Sequence, residues 1–526
     1  MRASVPWSTV TRPELAENAE GTGLRPRHTQ PRSVAELGAL IGAARRGRDV
    51  SVTGISSSSA MVGAGDLFAA LPGATAHGIH YAPAALDAGA VAVLTDPAGA
   101  AELAALDLAE VPALIVAEPR AVLGELSAEL YGHPARGLRV LGVTGTSGKT
   151  TTTFLVRAGL EAAGISSGIV GTVGVFAGDV LVKTPFTTPE APQLQALLAV
   201  MRERDIDCVA MEVSSHALRM GRVDGTEFAV GAFTNLSQDH LDFHSDMADY
   251  FAAKALLFDG RARREIVVVD DEWGRRLVTD DTVTVSTEAE ADWRATDVTV
   301  LPDGSTRFTV HGPVRSFAAG CRIPGAYNVA NTLLAFAILS ESGVDAAAVA
   351  PAVATAQVRG RMERVDGDQQ FLAVVDYSHK PAGVAGALQA LRPLTAGRLI
   401  MVLGCGGDRD RGKRPVMGEV AARGCDVLIV TDDNPRTEAP AEIRAAMLAG
   451  ARSVPPAEAA EILEEGDRRA AIARAVALAQ PGDTVLIAGK GHETGQDVGG
   501  TVLPFDDVSV VRNCLRELGF SAEVAR

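Results

Sequence analysis

The stretch LRVLGVTGTSGKTTTTF, residues 138–154, decides how this chain is read. Leu138 to Val143 is a short aliphatic run of the kind that forms a buried parallel strand. The glycine-rich turn Gly145-Thr146-Ser147-Gly148-Lys149-Thr150-Thr151 follows, then a helical pattern that Gly164 can close as a C-terminal cap. A strand entering such a turn and leaving as a helix frees backbone N–H groups to close around phosphate oxygens, with the positive helix end behind them. Lys149 can reach β- and γ-phosphates, and the Thr150 hydroxyl suits Mg²⁺. The spacing departs from G-x-x-x-x-G-K-[ST], because Val143 occupies the first glycine position. The expectation is an ATP- and Mg²⁺-binding unit in an α/β domain.

Outward from this core, the pattern repeats. After it, strands and helices alternate in the βαβ manner of a parallel sheet, and a hairpin is expected to turn at Asp303-Gly304. Beyond the break at 357–361, the runs FLAVVDY, RLIMVLG, DVLIVTD and DTVLIAG are separated by helical stretches, which predicts a second parallel sheet. Before residue 137, VAELGALIGAARR reads as a helix and DVSVTGI as a strand, and the Arg-, Pro- and Thr-rich first thirty or so residues read as a mobile tail. Three α/β domains are therefore expected, over 1–136, 137–358 and 359–526.

With 65 acidic against 49 basic residues, a net charge of −16 argues against a nucleic-acid backbone as main partner. The five cysteines are scattered without a C-x-x-C pair and predict buried thiols, neither disulfides nor zinc ligands. No apolar run resembles a signal peptide or a transmembrane span, so a cytoplasmic protein without membrane insertion is expected.

Further polar residues fall at strand exits, where ligands bind in open α/β sheets. CVAMEVSSH (208–216) carries Glu212 at its strand end, able to hold Mg²⁺ opposite the phosphate loop, although an ordinary surface glutamate reads equally well. FAVGAFTNLSQDHLDFH (228–244) packs Asp239, His240, Asp242 and His244 behind another strand. In DMADYFAAKALLFD, Lys254 interrupts a helical stripe of Met247, Tyr250, Phe251, Leu257 and Phe258. It either snorkels or is a buried amine whose neutral form is chemically useful. In the last domain LGCGGDRDRGKR, TDDNPR and GKGHE each follow a strand, placing Arg409, Asp433, Asn434, Arg436 and Glu493 along one sheet edge. Charges of both signs around a cleft suit a zwitterionic, amino-acid-like ligand.

Taken in order, GTSGKT, EVSSHAL, TNLSQDHLDFH, YFAAKALLF, GAYNVAN, RGRMERV, DYSHKP, GCGGDRDRGKR, TDDNPR and GKGHE resemble the landmarks of the Mur ligase family over nearly the whole chain. The resemblance implies an N-terminal UDP-binding domain, a central P-loop-like ATPase and a C-terminal Rossmann-like domain. It implies ATP-dependent amide formation through an acyl phosphate, adding meso-diaminopimelate to UDP-N-acetylmuramoyl-L-Ala-D-Glu, by a monomer that handles small molecules. Lys149, Glu212, His240 and Lys254 are the implied catalytic set. Thr150, Glu212 and His240 would lie near Mg²⁺, with Lys254 supporting it as a CO₂-derived carbamate. Asn328, Arg361 and Asp376 resemble adenine and ribose contacts beside the loop Gly145–Thr151. Ser57, Ser59, Thr187, Thr188, Ser214, Arg222 and His379 resemble contacts to the UDP-linked peptide. Arg409, Asp433, Asn434, Pro435, Arg436, Gly489 and Glu493 would bind diaminopimelate.

The departures from the pattern are local. The loop Ser56–Ser59 lacks the expected Asp-Ser-Arg run, Met220 replaces a polar residue, and Lys380 and Ala382 are unusual in their segment. A lysine-adding member of the family and a folylpolyglutamate synthetase are the alternatives of like chemistry, and a non-catalytic nucleotide-binding regulator the alternative of another class. Arg436 argues for diaminopimelate over lysine, since a guanidinium can bind the extra carboxylate bidentately.

Overall fold

A computed structural model describes residues 25–73, 76–178, 180–301 and 303–521. The strand Arg139–Thr144 is buried along nearly its whole length, as its aliphatic run requires. It lies at the centre of an eleven-stranded sheet. Its neighbours Cys208–Glu212 and Phe228–Phe233 run parallel to it, in registers that set Glu212 beside Val143 and Phe233 beside Thr144. The parallel order continues through Ala262–Val268 and Val283–Ser286 to Trp293–Val300, and an antiparallel hairpin extends the sheet. That hairpin turns at Gly304, whose φ of 81° takes the left-handed backbone the turn needs.

The helix Lys149–Ala162 packs Leu155, Val156 and Leu160 on one sheet face, together with Leu333, Phe336 and Ile338 of the helix Tyr327–Glu341. The helix Ala191–Glu203 covers the other face through Leu194, Leu197 and Met201. Burying a parallel sheet on both sides explains why its strands read as unbroken apolar runs.

The C-terminal sheet has six strands in the order Glu363–Arg364, Leu372–Asp376, Thr484–Ala488, Leu399–Leu403, Val427–Val430 and Glu461–Glu464. All but the first pair are parallel. DYSHKP, GCGGDRD, TDDNPR and GKGHE therefore emerge at the carboxyl ends of four adjacent strands. A five-stranded sheet between Ala44 and Ile115 forms the N-terminal layer.

Two local expectations change. The predicted helix from Val34 ends at Leu40, because Gly42 turns back with φ 63°, and Ala44–Arg46 becomes an edge strand. The expected tail lies outside the described residues through position 24, but positions 25–28 are anchored. Arg25 donates to both carboxylate oxygens of Asp66, and the backbone N–H groups of Arg27 and His28 donate to Glu203. All five cysteines are buried and free.

Candidate functional site

The phosphate loop begins where the central strand ends. Gly145 has φ 139°, and a Cβ there would stand 1.8 Å from Thr234 Oγ1; at Gly148, φ is 87° and a Cβ would meet Asn331 Oδ1 at 2.2 Å. Both positions demand glycine on backbone and packing grounds. The next strand's exit clamps the loop: Thr146 N donates to Asn235 O (2.8 Å), Thr234 Oγ1 donates to Ser147 O (2.6 Å), and the Tyr250 hydroxyl lies 3.2 Å from Thr146 Oγ1.

Two lysine side-chain nitrogens crowd one edge of this loop. Lys149 Nζ donates to the carbonyls of Gly145 and Thr146, both at 2.9 Å. Lys254 Nζ donates to the same Gly145 carbonyl at 2.7 Å and lies 4.5 Å from the Tyr250 ring centre. Lys254 is only 1 % exposed. Burial, reinforced by the neighbouring Lys149 charge, holds its amine well below the ordinary lysine range. Of its two sequence readings, the buried amine is the one the structure bears out. Burial also lowers Lys149, with Arg361 and Lys380 adding to the effect.

Glu212 faces the loop from the adjacent strand. Its carboxylate accepts from Thr150 Oγ1 (2.9 Å), Thr172 N (2.8 Å) and Thr172 Oγ1 (3.1 Å). The Thr150 hydroxyl and Glu212 carboxylate are thus a pair of hard oxygen donors in contact, which fits Mg²⁺, an ion that typically takes one or two protein ligands and completes its shell with phosphates and water. Among the described residues no group of three or more His, Cys, Asp or Glu forms a metal cage. His240 has left-handed φ 54°, and its ring lies 4.8 Å from that of His216 and 6.1 Å from that of Tyr250. Burial pushes its imidazole down to about 4, so it is neutral near pH 7.

Among the residues expected to contact adenine and ribose, Asn328 Nδ2 donates to Pro324 O (2.8 Å), and Asn331 Nδ2 donates to Asn328 Oδ1 (2.9 Å). The Arg361 guanidinium stands 4.6 Å over the Tyr377 ring, and its buried Nε finds no partner among the described residues. Asp376 accepts from Met362 N (2.8 Å) and from the backbone and hydroxyl of Ser378, so this carboxylate ties the Arg361 turn to the next loop.

On the opposite flank, Thr188 Oγ1 donates to Glu212 O (2.8 Å) and accepts from Ser214 N (3.2 Å), while Ser214 Oγ caps its own short helix. Thr187 Oγ1 lies 3.1 Å from Thr172 Oγ1. Arg222 pairs with Glu190 at 2.9 Å and stacks on Phe186, its guanidinium carbon 4.2 Å from the ring centre. Met220 touches the same guanidinium through sulfur. Ser57 and Ser59 sit half-exposed beside Ser58, whose N–H is held by Ser56 Oγ. The His379 ring is anchored on Tyr377 O (2.9 Å) and lowered by burial.

At the C-terminal sheet edge, Lys490 is fully buried and binds Asn434 Oδ1 (2.8 Å), Glu493 Oε2 (3.2 Å) and Asp433 Oδ1 (3.3 Å). Asn434 Nδ2 also donates to Glu493 Oε2 (2.8 Å), so one oxygen of Glu493 is committed. Gly489 has φ 112°, and a Cβ there would lie 2.9 Å from Asp433 Oδ2. Arg436, also left-handed (φ 52°), donates Nη1 to Gly407 O (2.6 Å). Arg409 and Arg436 flank Gly406, and a Cβ at Gly406 would stand 2.9 Å from Arg436 Nη1 and 3.8 Å from Arg409 Cγ. Pro435 O packs against Gly407.

Several contacts join this edge to the phosphate loop's sheet. Lys380 Nζ pairs with Asp239 at 2.6 Å, and Lys183 Nζ donates to Thr494 Oγ1. Thr172, Thr234, Asn235, Asn331, Tyr250 and Lys490 all shape the site without having been singled out for a role. Asn235, Asn331 and Lys490 stood inside quoted motifs, whereas Thr172 follows an ordinary strand and carries no local signal.

Three family models match the chain. They are the Mur ligase family catalytic domain over residues 51–131, the Mur ligase middle domain over 143–339 and the Mur ligase glutamate ligase domain over 360–491. The chain is 53 % identical to the UDP-N-acetylmuramoyl-L-alanyl-D-glutamate–2,6-diaminopimelate ligase of Streptomyces avermitilis, covering 94 % of this chain and 98 % of that one. It is 49 % identical to the protein of the same name from Corynebacterium glutamicum, covering 89 % and 92 %. A solved structure of a ligase of that name matches with a TM-score of 0.63 at 32 % identity, over 89 % of this chain and 96 % of the other.

Proposed function

The chain belongs to the Mur ligase family, and on that premise we propose that it adds meso-diaminopimelate to UDP-N-acetylmuramoyl-L-alanyl-D-glutamate in peptidoglycan synthesis, with hydrolysis of ATP to ADP and phosphate. The observation that carries this reading is the facing of a phosphate loop and a charged amino-acid site across one cleft bridged by Lys380 and Asp239.

The D-Glu carboxylate attacks the γ-phosphorus, the bond to the β-phosphate oxygen breaks, and ADP leaves an acyl phosphate. The amine of diaminopimelate then attacks the acyl carbon, phosphate departs and the amine loses its proton. Both reactants of the first step are anionic, so Lys149 offsets their repulsion from the loop edge. Thr150 and Glu212 would hold Mg²⁺, with His240 nearby, and the ion would supply positive charge against the β- and γ-phosphates. Lys254 carries a carbamate formed with CO₂; a buried amine of lowered basicity, in no ion pair among the described residues, favours the neutral nucleophile that this modification needs. Gly145 to Thr151 wrap the phosphates, and Asn328, Arg361 and Asp376 border the nucleoside. Ser57, Ser59, Thr187, Thr188, Ser214, Arg222 and His379 border the UDP-linked peptide; Thr188 and Asp376 act by holding backbone in place, because their polar atoms are already bonded there. Arg409, Arg436 and the Asp433–Pro435 turn, with Gly489 and Glu493, take diaminopimelate.

We place the domain boundaries at 136/137 and 358/359, between the three sheets. We further propose that the chain acts as a monomer. No helix is long and apolar enough to cross a membrane among the described residues. That fact, the free thiols and the nucleotide substrates support a cytoplasmic location. The test is phosphate release with ATP, Mg²⁺ and the UDP-muramoyl dipeptide, comparing diaminopimelate with lysine. Release that depends on diaminopimelate is expected; equal or greater release with lysine overturns the assignment.

A further inference from the structure

Lys380 and Asp239 lie 141 residues apart in the chain and come from the two sheets that face across the cleft. Asp239 is preset for its partner. Its Oδ1 accepts the N–H of His240 (2.9 Å), and its Oδ2 lies 3.4 Å from His240 Nε2. Lys380 is equally well placed. It occupies the extended N-cap position of the helix Pro381–Leu391. The residue before it is held from the other side, since Lys413 Nζ donates to His379 O at 2.9 Å. The result is a 2.6 Å ion pair with 44 % of the Lys380 and 22 % of the Asp239 side chain exposed.

A single half-exposed ion pair adds little to fold stability. Between two bodies that can separate, however, it acts on the population of the closed arrangement, where a small bias is read directly in substrate affinity. The local charge balance supplies the reason for a carboxylate here. The arrangement sets Arg361 and Lys380 of the C-terminal sheet close enough to Lys149 on the phosphate loop that their charges help to lower its basicity. Without Asp239, like charges would meet before any amino acid had bound.

We propose that Lys380 and Asp239 form a cross-cleft latch, a pair of positioning residues that holds the amino-acid site over the phosphate loop during the amine-transfer half of the reaction. This inference rests on the ligase reading given above. It assigns to Lys380 a role in substrate affinity rather than in ATP binding.

The experiment is a double-mutant cycle on the full-length enzyme with Lys380→Met, Asp239→Asn and the pair, together with Lys380→Arg. Phosphate release gives KM for diaminopimelate and kcat, and a fluorescent ATP analogue gives nucleotide affinity without amino acid. Each single neutralisation is expected to raise KM for diaminopimelate about three- to tenfold while the double variant is no worse than the poorer single, because they break one shared contact. Nucleotide affinity is expected to change less than about twofold, Lys380→Arg to restore most of the loss, and added salt to raise KM in the wild type more than in Lys380→Met. Additive losses, equal losses of nucleotide affinity, or no change in KM overturn the latch. A wild type without diaminopimelate-dependent phosphate release instead overturns the ligase reading itself. If Asp239→Asn misfolds, which melting curves detect, the comparison of Lys380→Met with Lys380→Arg still decides.

Discussion

Replacing Arg436 by Ala separates the task that the structure shows for this side chain from the one proposed for it. Its Nη1 donates to Gly407 O at 2.6 Å, which ties the TDDNPR turn to the GCGGD loop. The rest of the guanidinium is available to a ligand carboxylate beside Gly406, where Arg409 also stands. Losing the bond to Gly407 costs about 1 kcal/mol whichever amino acid binds. Losing the carboxylate partner affects only diaminopimelate, because lysine has no distal carboxylate. An exposed pair contributes up to about 1 kcal/mol and truncating a buried pair costs about 2–5 kcal/mol. Arg436 is half-buried, so about 2–3 kcal/mol is the expected specific loss. At about 1.4 kcal/mol per tenfold, that corresponds to a factor of about 30–140 in the ratio of kcat/KM for diaminopimelate over lysine. The common loss lowers both substrates by about fivefold more. Arg436→Lys keeps a charge but loses the fork and is expected to fall between. Steady-state phosphate release with both amino acids, for wild type and both variants, measures the ratio directly. If Arg436→Ala lowers both substrates by the same factor, the side chain only pins its turn, and specificity resides elsewhere.

Lys149→Ala is expected to lower phosphate release by about 10²–10³ or more with an unchanged melting temperature, since the residue offsets phosphate charge at the loop edge. Near-normal turnover would remove the phosphate-loop assignment. Lys254→Ala is expected to be almost inactive and partly restored by short carboxylic acids that replace the carbamate, and mass analysis of the wild type under CO₂ is expected to show an acid-labile adduct. Full activity of the variant would refute this. Burial, with Arg361 and Arg359 nearby, pushes His492 down to about 3. The unfolded chain therefore takes up this proton near pH 6.5 while the folded protein does not, so stability is lost as pH falls from about 6.5 toward 3 and is untouched above it. Relative to wild type, His492→Gln is expected to lose less melting temperature between pH 7.5 and 5; identical losses would show that this imidazole is not held neutral by the fold.

The phosphate loop was legible in the sequence because its geometry is local: positive φ angles at Gly145 and Gly148, a strand before and a helix after, each written in a few nearby residues. The parallel sheets were legible for a similar reason, since burial on both faces prints unbroken apolar runs such as Leu399–Leu403. The buried state of Lys254 was half legible. Its helical stripe placed it on an apolar face, yet only the packing of Tyr250 and the Gly145 carbonyl decided between snorkelling and burial.

Tertiary structure alone decided which polar atoms are left for ligands. Asp376 and Thr188 spend their polar atoms on the backbone, one oxygen of Glu493 is tied to Asn434 and Lys490, and Thr172 completes the setting of Glu212. The Lys380–Asp239 pair, bridging two sheets, was invisible for the same reason. Hydrogen bonds and ion pairs act over about 3 Å in space without regard to distance along the chain, so a local pattern can announce a charged residue but cannot say what it faces.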